Sequence, residues 1–167
     1  MTTGITASCA CGNVEIEAIG TPIVSAVCYC DDCQEGARLI EALPNAGPVQ
    51  GRDGGTAYIL FRKDRVRYTK GAAFLKNYKI KETSSTNRVV ARCCNSAMLL
   101  NFDDSKHWVD VYRARLRGDV PLPQMRICTK FAPATGDLPS DVPSYQGFSP
   151  KLIMKLMTAR IAMMFGR

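Results

Sequence analysis

The sequence predicts a mainly β domain with one helix appended at its C-terminus. Short strand patterns recur at close intervals between Ala57 and Tyr112. The cysteines form tight groups that are far apart in the chain, so several strands must fold between them to bring those groups together. One sustained helical pattern stands out, and it begins only after Ser149-Pro150.

Taken in order, Ile5 to Cys9 reads as a short strand leading into Cys9-Ala10-Cys11-Gly12, where glycine frees the backbone to turn after the second thiol. Val14, Ile16 and Ala18 then alternate with Glu15, Glu17 and Ile19, the period-two pattern of a half-buried strand. Thr21-Pro22 ends it, and Ile23 to Val27 forms a strand that delivers Cys28 at its tip. Gln34 to Leu43 lacks proline and suits two to three helical turns, stopped by Pro44. Residues 45–55 are dense in glycine and proline and read as a surface loop, either a wall of the cysteine site or a plain connector.

The strand patterns that follow span Ala57 to Phe61, Val66 to Tyr68, Phe74 to Ile80, Arg88 to Cys93, Met98 to Phe102 and Trp108 to Tyr112. Beyond Tyr112 five prolines, from Pro121 to Pro143, punctuate a largely irregular stretch. Ser149 is placed to cap the last helix and Pro150 to occupy its first position. Leu152, Ile153, Leu156, Met157, Ile161, Met164 and Phe165 share one face of that helix, with Lys151, Lys155 and Thr158 on the other. Residues 1–148 are thus expected to form a β domain that carries the cysteine groups. Residues 149–167 form an amphipathic helix packed on it or on a partner subunit, which makes a homodimer one expectation.

The 167-residue chain suits one core, and its 46% hydrophobic and 22% charged content is that of an ordinary globular protein rather than a disordered one. No basic segment followed by an apolar run opens it, and no apolar stretch reaches the ~18 residues of a membrane span, so a cytoplasmic protein is expected. Of the eight cysteines, five fall in C-x-C and C-x-x-C spacings, which points to metal rather than to disulfides. The net charge of +7 counts neutral thiols; seven of them binding two Zn²⁺ as thiolates would leave +4. The basic run Arg62, Lys63, Arg65, Arg67 and Lys70 suits a phosphate backbone or a solvated hairpin face equally, and with no sequence-reading motif beside it nucleic acid is disfavoured as a partner.

Cys28-Tyr29-Cys30-Asp31-Asp32-Cys33 offers three of the four thiolates of a tetrahedral zinc site from a single loop. Cys9 and Cys11 make a knuckle that cannot hold zinc alone, and Cys93 and Cys94 are the candidates to complete it. Neighbouring residues of a strand point to opposite faces, so Cys93 and Cys94 can share one ion only if the strand ends or bends there. Cys128 reads as a small core residue and a spare thiolate. His107, the only histidine, reads as a surface residue at a strand end and excludes any multi-histidine site. Asp31 and Asp32 suit either a hydrogen-bonding or basic role beside the metal or a solvated turn.

The order Ser8-Cys9-Ala10-Cys11-Gly12-Asn13-Val14, then Cys28-Tyr29-Cys30-Asp31-Asp32-Cys33, then Cys94-Asn95-Ser96, resembles the family of glutathione-dependent formaldehyde-activating enzymes and centromere protein V over roughly residues 5–115. The resemblance implies a zinc-bearing, Mss4-like β fold with one structural zinc and a second, labile one beside a thiol-substrate site. Cys9, Cys11 and Cys94, with Cys93 substituting for a displaced fourth ligand, match the structural set. Cys28, Cys30 and Cys33 match the reactive cluster and are the candidate catalytic residues. Ala91 and Asn95 stand where the family has a cysteine and a glycine, and Asp31, Asp32 and Gln34 replace its usual histidine and basic residues, which marks a divergent member. The implied function is a zinc-dependent carbon–sulfur lyase of the S-(hydroxymethyl)glutathione synthase type, acting on a small thiol such as glutathione or on its aldehyde adduct. The alternative is a non-catalytic zinc module that binds a protein or nucleic-acid partner. An open fourth position on the second zinc would favour the enzyme, and a protein ligand there would favour the module.

Overall fold

A computed structural model describes residues 4–134 and 137–166; Met1 and Arg167, the outer ends of the two expected units, lie outside them. The described chain is mainly β, with two sheets, one helix inserted early and one at the C-terminus. Strands β1 (Gly4–Ser8), β2 (Glu15–Ile19), β3 (Val24–Cys28), β4 (Thr56–Arg62), β5 (Val66–Lys70), β6 (Leu75–Tyr78), β7 (Thr86–Ala91), β8 (Ser96–Phe102) and β9 (Trp108–Tyr112) fall on the patterned segments. Helix α1 (Asp31–Glu41) follows β3 and helix α2 (Pro150–Met164) closes the chain. Two short strands, β10 (Leu116–Arg117) and β11 (Met125–Ile127), lie in the proline-rich stretch that the sequence presents as irregular.

The small sheet runs β10-β1-β2-β5 and the large one β11-β3-β4-β9-β8-β7-β6. Period-two alternation sends the two faces of the large sheet to different neighbours. Ile59, Phe61, Val89, Leu99, Val109 and Val111 pack against Ala7, Ile16, Ala18 and Leu116 of the small sheet. On the opposite face Val24, Ala26, Tyr58, Leu60, Leu100 and Tyr112 meet Ile40 of α1 and Leu152 of α2. The molecule is therefore three layers: small sheet, large sheet and helices. β3, central between two covered faces, has all five residues buried.

Three local results differ from expectation. β7 stops at Ala91, and residues 92–95 form a turn with Asn95 at φ 52°, so Cys93 and Cys94 are not strand neighbours and their thiols are free to converge. α1 begins at Asp31 rather than Gln34, because Cys30 is extended and Asp31 and Asp32 place negative charge in the first turn, where the helix dipole favours it.

α2 is capped as its sequence suggests, with Ser149 Oγ accepting from the Leu152 N–H at 3.0 Å, but it is rotated relative to the expected apolar stripe. Leu152 is buried and Leu156 and Ala159 pack on the core, whereas Ile153, Met157, Ile161, Met164 and Phe165 are exposed. Lys155, expected on the outer side, donates to the Ile23 carbonyl at 3.3 Å. Apolar residues nearly surround this helix, so its pattern does not single out the buried face. Specific anchors do. His107, expected at the surface, is buried and donates from Nε2 to the Leu156 carbonyl at 2.8 Å. Among the described residues no helix is long and apolar enough to cross a membrane.

Candidate metal centres and the adjoining cavity

β1 ends just before Cys9, and the backbone turns back through Gly12 at φ 73°, a left-handed conformation that favours glycine. The Cys9 N–H meets the Val14 carbonyl at 3.1 Å, closing a knuckle that presents Cys9 and Cys11 together. The turn after β7 presents Cys93 and Cys94 from the other side. All four sulfurs lie within 4.8 Å of one another. The separations are 3.6 Å for Cys9–Cys11, 3.8 Å for Cys9–Cys93 and 3.4 Å for Cys11–Cys93. A tetrahedral ion with metal–sulfur bonds of about 2.3 Å spaces its sulfurs by about 3.8 Å, so the set fits such an ion. Donors converge on it: the Val14 N–H reaches Cys9 Sγ at 3.3 Å, and Ser96 Oγ lies 3.1 Å from Cys94 Sγ while accepting from the Ala10 N–H. Burial opposes ionisation of Cys94, but hydrogen bonds from Ser96 and Cys11 outweigh it and lower its pKa to about 6. Cys93 is pushed up to about 12, first by burial and then by Cys11 and Cys9.

The second group is not a loop. Cys28 is the last residue of β3, Cys30 precedes α1 and Cys33 lies in its first turn, so a strand end and a helix start hold three sulfurs within 4.8 Å. This set supplies three corners of a tetrahedron. The Cys28 and Cys33 thiols donate to Cys30 and push its pKa down against the opposing effect of burial.

Tyr29, between the first two cysteines, locks their backbone. Its hydroxyl donates to Asp53 Oδ2 at 2.6 Å and accepts from Arg126, whose Nη1 also reaches Asp53 at 2.8 Å. Arg126 pairs further with Asp141 at 3.0 Å. Gln34 of α1 donates to the Gly54 carbonyl at 2.9 Å. The glycine-rich loop is thus tied to the cysteine group through Tyr29 and Gln34.

Cys128, expected in the core, is buried, and its thiol interacts with Cys28, raising the pKa of Cys28 more than any other neighbour does. Parallel pairing of β11 with β3, which sets Ile127 beside Cys28, carries it there. It does not join the compact three-sulfur group.

The three sulfurs open onto a cavity of about 540 Å³ on the helix-covered face of the large sheet. Its walls are mostly apolar and come from both the sheet and α2, with Arg88, Asp110 and Lys106 as the long polar exceptions beside Asp32. Arg88 is 1% exposed and donates from Nη2 to the Asp32 carbonyl, leaving Nη1 buried without a partner. Asp110 is half-buried as a residue, yet its Oδ1 is sealed from solvent and also lacks a partner. Burial raises the Asp110 carboxyl to about 7 against the pull of Lys106 and the Trp108 indole.

The structure clusters the cysteines of both groups that the sequence singles out, whereas sequence reasoning missed Arg88, Asp110 and the Tyr29–Arg126–Asp53 network. A signal for Arg88 was present in Gly36. Glycine is a poor residue for a helix interior, and here a Cβ would stand 1.7 Å from Arg88 Nε. The residue is small because the guanidinium occupies that space.

Residues 4–41 match the family described as glutathione-dependent formaldehyde-activating enzyme. That span runs from β1 through α1 and takes in Cys9, Cys11, Cys28, Cys30 and Cys33. The match supports a divergent member of the family to which the motifs point. No curated protein matches the chain significantly. Among solved structures, a Rhodobacter sphaeroides protein is similar over 70% of this chain and 91% of its own, at 22% identity and a TM-score of 0.49.

Proposed function

We propose that the chain is a zinc-dependent enzyme of the carbon–sulfur lyase type, acting on a small thiol or its aldehyde adduct. Cys9, Cys11, Cys93 and Cys94 hold a structural zinc, and Cys28, Cys30 and Cys33 hold a second, more labile one. The single observation that carries this reading is that the three-sulfur group lines a cavity, while the four-sulfur group has its full ligand set. Zinc bound by three thiolates with one position open supplies a site for a substrate sulfur or oxygen.

The protein's own residues do the rest. Tyr29, Asp53 and Arg126 fix the backbone that carries Cys28 and Cys30, and α1 fixes Cys33, so the three sulfurs are preorganised. The apolar walls contributed by α2 exclude water from the thiol and the aldehyde. In the forward direction the carbon–sulfur bond forms as the carbonyl π bond breaks, and the thiol proton ends on the aldehyde oxygen; the reverse reaction restores both. The β unit expected over residues 1–148 is the zinc-bearing part, and α2 is the helix that closes its cavity.

Exchange spectroscopy on formaldehyde mixed with either glutathione or a simple alkyl thiol tests this reading. Zinc-loaded protein should accelerate adduct formation with at least one thiol, and Cys30→Ser should abolish the acceleration. Absence of acceleration with both would replace the enzyme with a non-catalytic zinc module.

A further inference from the structure

The cavity beside the three sulfurs is poorly matched to a ligand as polar as glutathione. Leu60, Leu100, Phe102, Trp108, Leu152 and Leu156 give it a largely apolar wall. A peptide-like ligand with two carboxylates and an ammonium group would bury several polar groups there without partners, at roughly 1–3 kcal/mol each and more for the charges.

Two cations line the cavity, and Lys106 is already paired with Asp104, so Arg88 is the one that bears on ligand choice. Register sets Arg88 of β7 opposite Leu100 of β8, and Leu100 opposite Asp110 of β9. Arg88 and Asp110 therefore leave the same face of the sheet two strands apart, about 10 Å between backbones. Arg88 brings a guanidinium to the cavity, and among the described residues no carboxylate pairs with it. Its Nη2 is held on the Asp32 carbonyl and Gly36 leaves space for its stem, so the guanidinium is fixed in place with Nη1 unused. A buried cation without a counter-ion is costly, and a ligand carboxylate is the group that relieves it with a charge-assisted hydrogen bond.

We propose that this cavity takes a small molecule with an apolar body and a single carboxylate, and that Arg88 is the residue that binds the carboxylate. If the ligand also carries the sulfur expected under the proposed function, it is an alkyl mercapto acid; that part alone rests on the thiol-handling reading. Burial raises the Asp110 carboxyl to about 7, so at lower pH it adds no repelling charge to the cavity.

Trp108 is the only tryptophan in the chain and lines the cavity, so its emission reports occupancy directly. Full-length, zinc-loaded protein is titrated with 6-mercaptohexanoate, its methyl ester, hexanoate and glutathione. The acid should perturb Trp108 at a concentration at least tenfold below that needed for the ester or for glutathione. Arg88→Met should erase the acid-over-ester preference while retaining ester binding. If that variant fails to fold, the acid-to-ester ratio in the unaltered protein decides the matter by itself. Equal binding of acid and ester, tighter binding of glutathione, or no response to any ligand would overturn the inference. Tighter glutathione binding would leave the thiol-handling reading standing. Hexanoate binding as tightly as 6-mercaptohexanoate, with the ester weak, would support the inference and count against thiol handling.

Discussion

At the scale of single residues, Asp110 gives the sharpest thermodynamic handle on the cavity. Its carboxyl titrates near 7 in the folded protein and near 4 in the unfolded chain. Between those values the folded state keeps a proton that the unfolded chain has released, so Asp110 makes the protein less stable as pH rises across that window. Asp110→Asn removes the effect. The stability of the variant relative to the unaltered protein should increase between pH 4.5 and 7.5, by an amount on the order of 1–3 kcal/mol, measured from urea midpoints at several pH values. Parallel pH profiles would show that the carboxyl is not sealed from water.

Gly36 makes an equally definite prediction. Intrinsic helix propensity alone would have Gly36→Ala stabilise α1 by about 1 kcal/mol. The space a Cβ would need is filled by Arg88, so the substitution should instead destabilise the protein by roughly 1–3 kcal/mol. The seven clustered cysteines were legible in the sequence because their spacing is itself the signal. Arg88 and Asp110 were not, since only the strand register shows that they share a face and meet a cavity.

At the scale of elements, the strands from β1 to β9 were readable because most of them alternate or carry a short apolar run between turn residues. β10 and β11 are only two and three residues long, too short for a period to show, and their pairing with β1 and β3 is a tertiary outcome. β11 nonetheless matters to the site, because its parallel pairing carries Cys128 to Cys28. The ligand turn is the reverse case: the strand-parity conflict at Cys93 and Cys94 disappears because β7 ends two residues earlier than its apolar run suggests.

The placement of α2 was hidden by its near-uniform apolarity and depends on Ser149, His107 and Lys155. Ser149→Ala should therefore cost about 1 kcal/mol and speed amide exchange mainly within residues 150–164. Burial lowers the pKa of His107. The unfolded chain then binds the proton more readily, and the contribution of His107 to stability declines as pH falls below about 6.5. His107→Gln should flatten that acid-side decline.

At the scale of the whole molecule, two cysteine groups occupy different structural settings. The four-sulfur group joins the end of β1 to the turn after β7 and thereby ties the small sheet to the large one. Cys94→Ser should consequently reduce soluble yield more than Cys128→Ser does, because losing a metal cross-link between layers is a loss of folding free energy. The three-sulfur group sits between β3 and α1, beside a cavity, and would offer a tetrahedral ion three of its four corners.

Native mass spectrometry of the intact protein during titration with a mild chelator tests this difference most directly. Two zinc ions per chain are expected on the two-site reading, lost in two steps, with the first step absent in Cys30→Ser and the second ion retained there. A single zinc at saturation, or simultaneous loss of both ions, would contradict it.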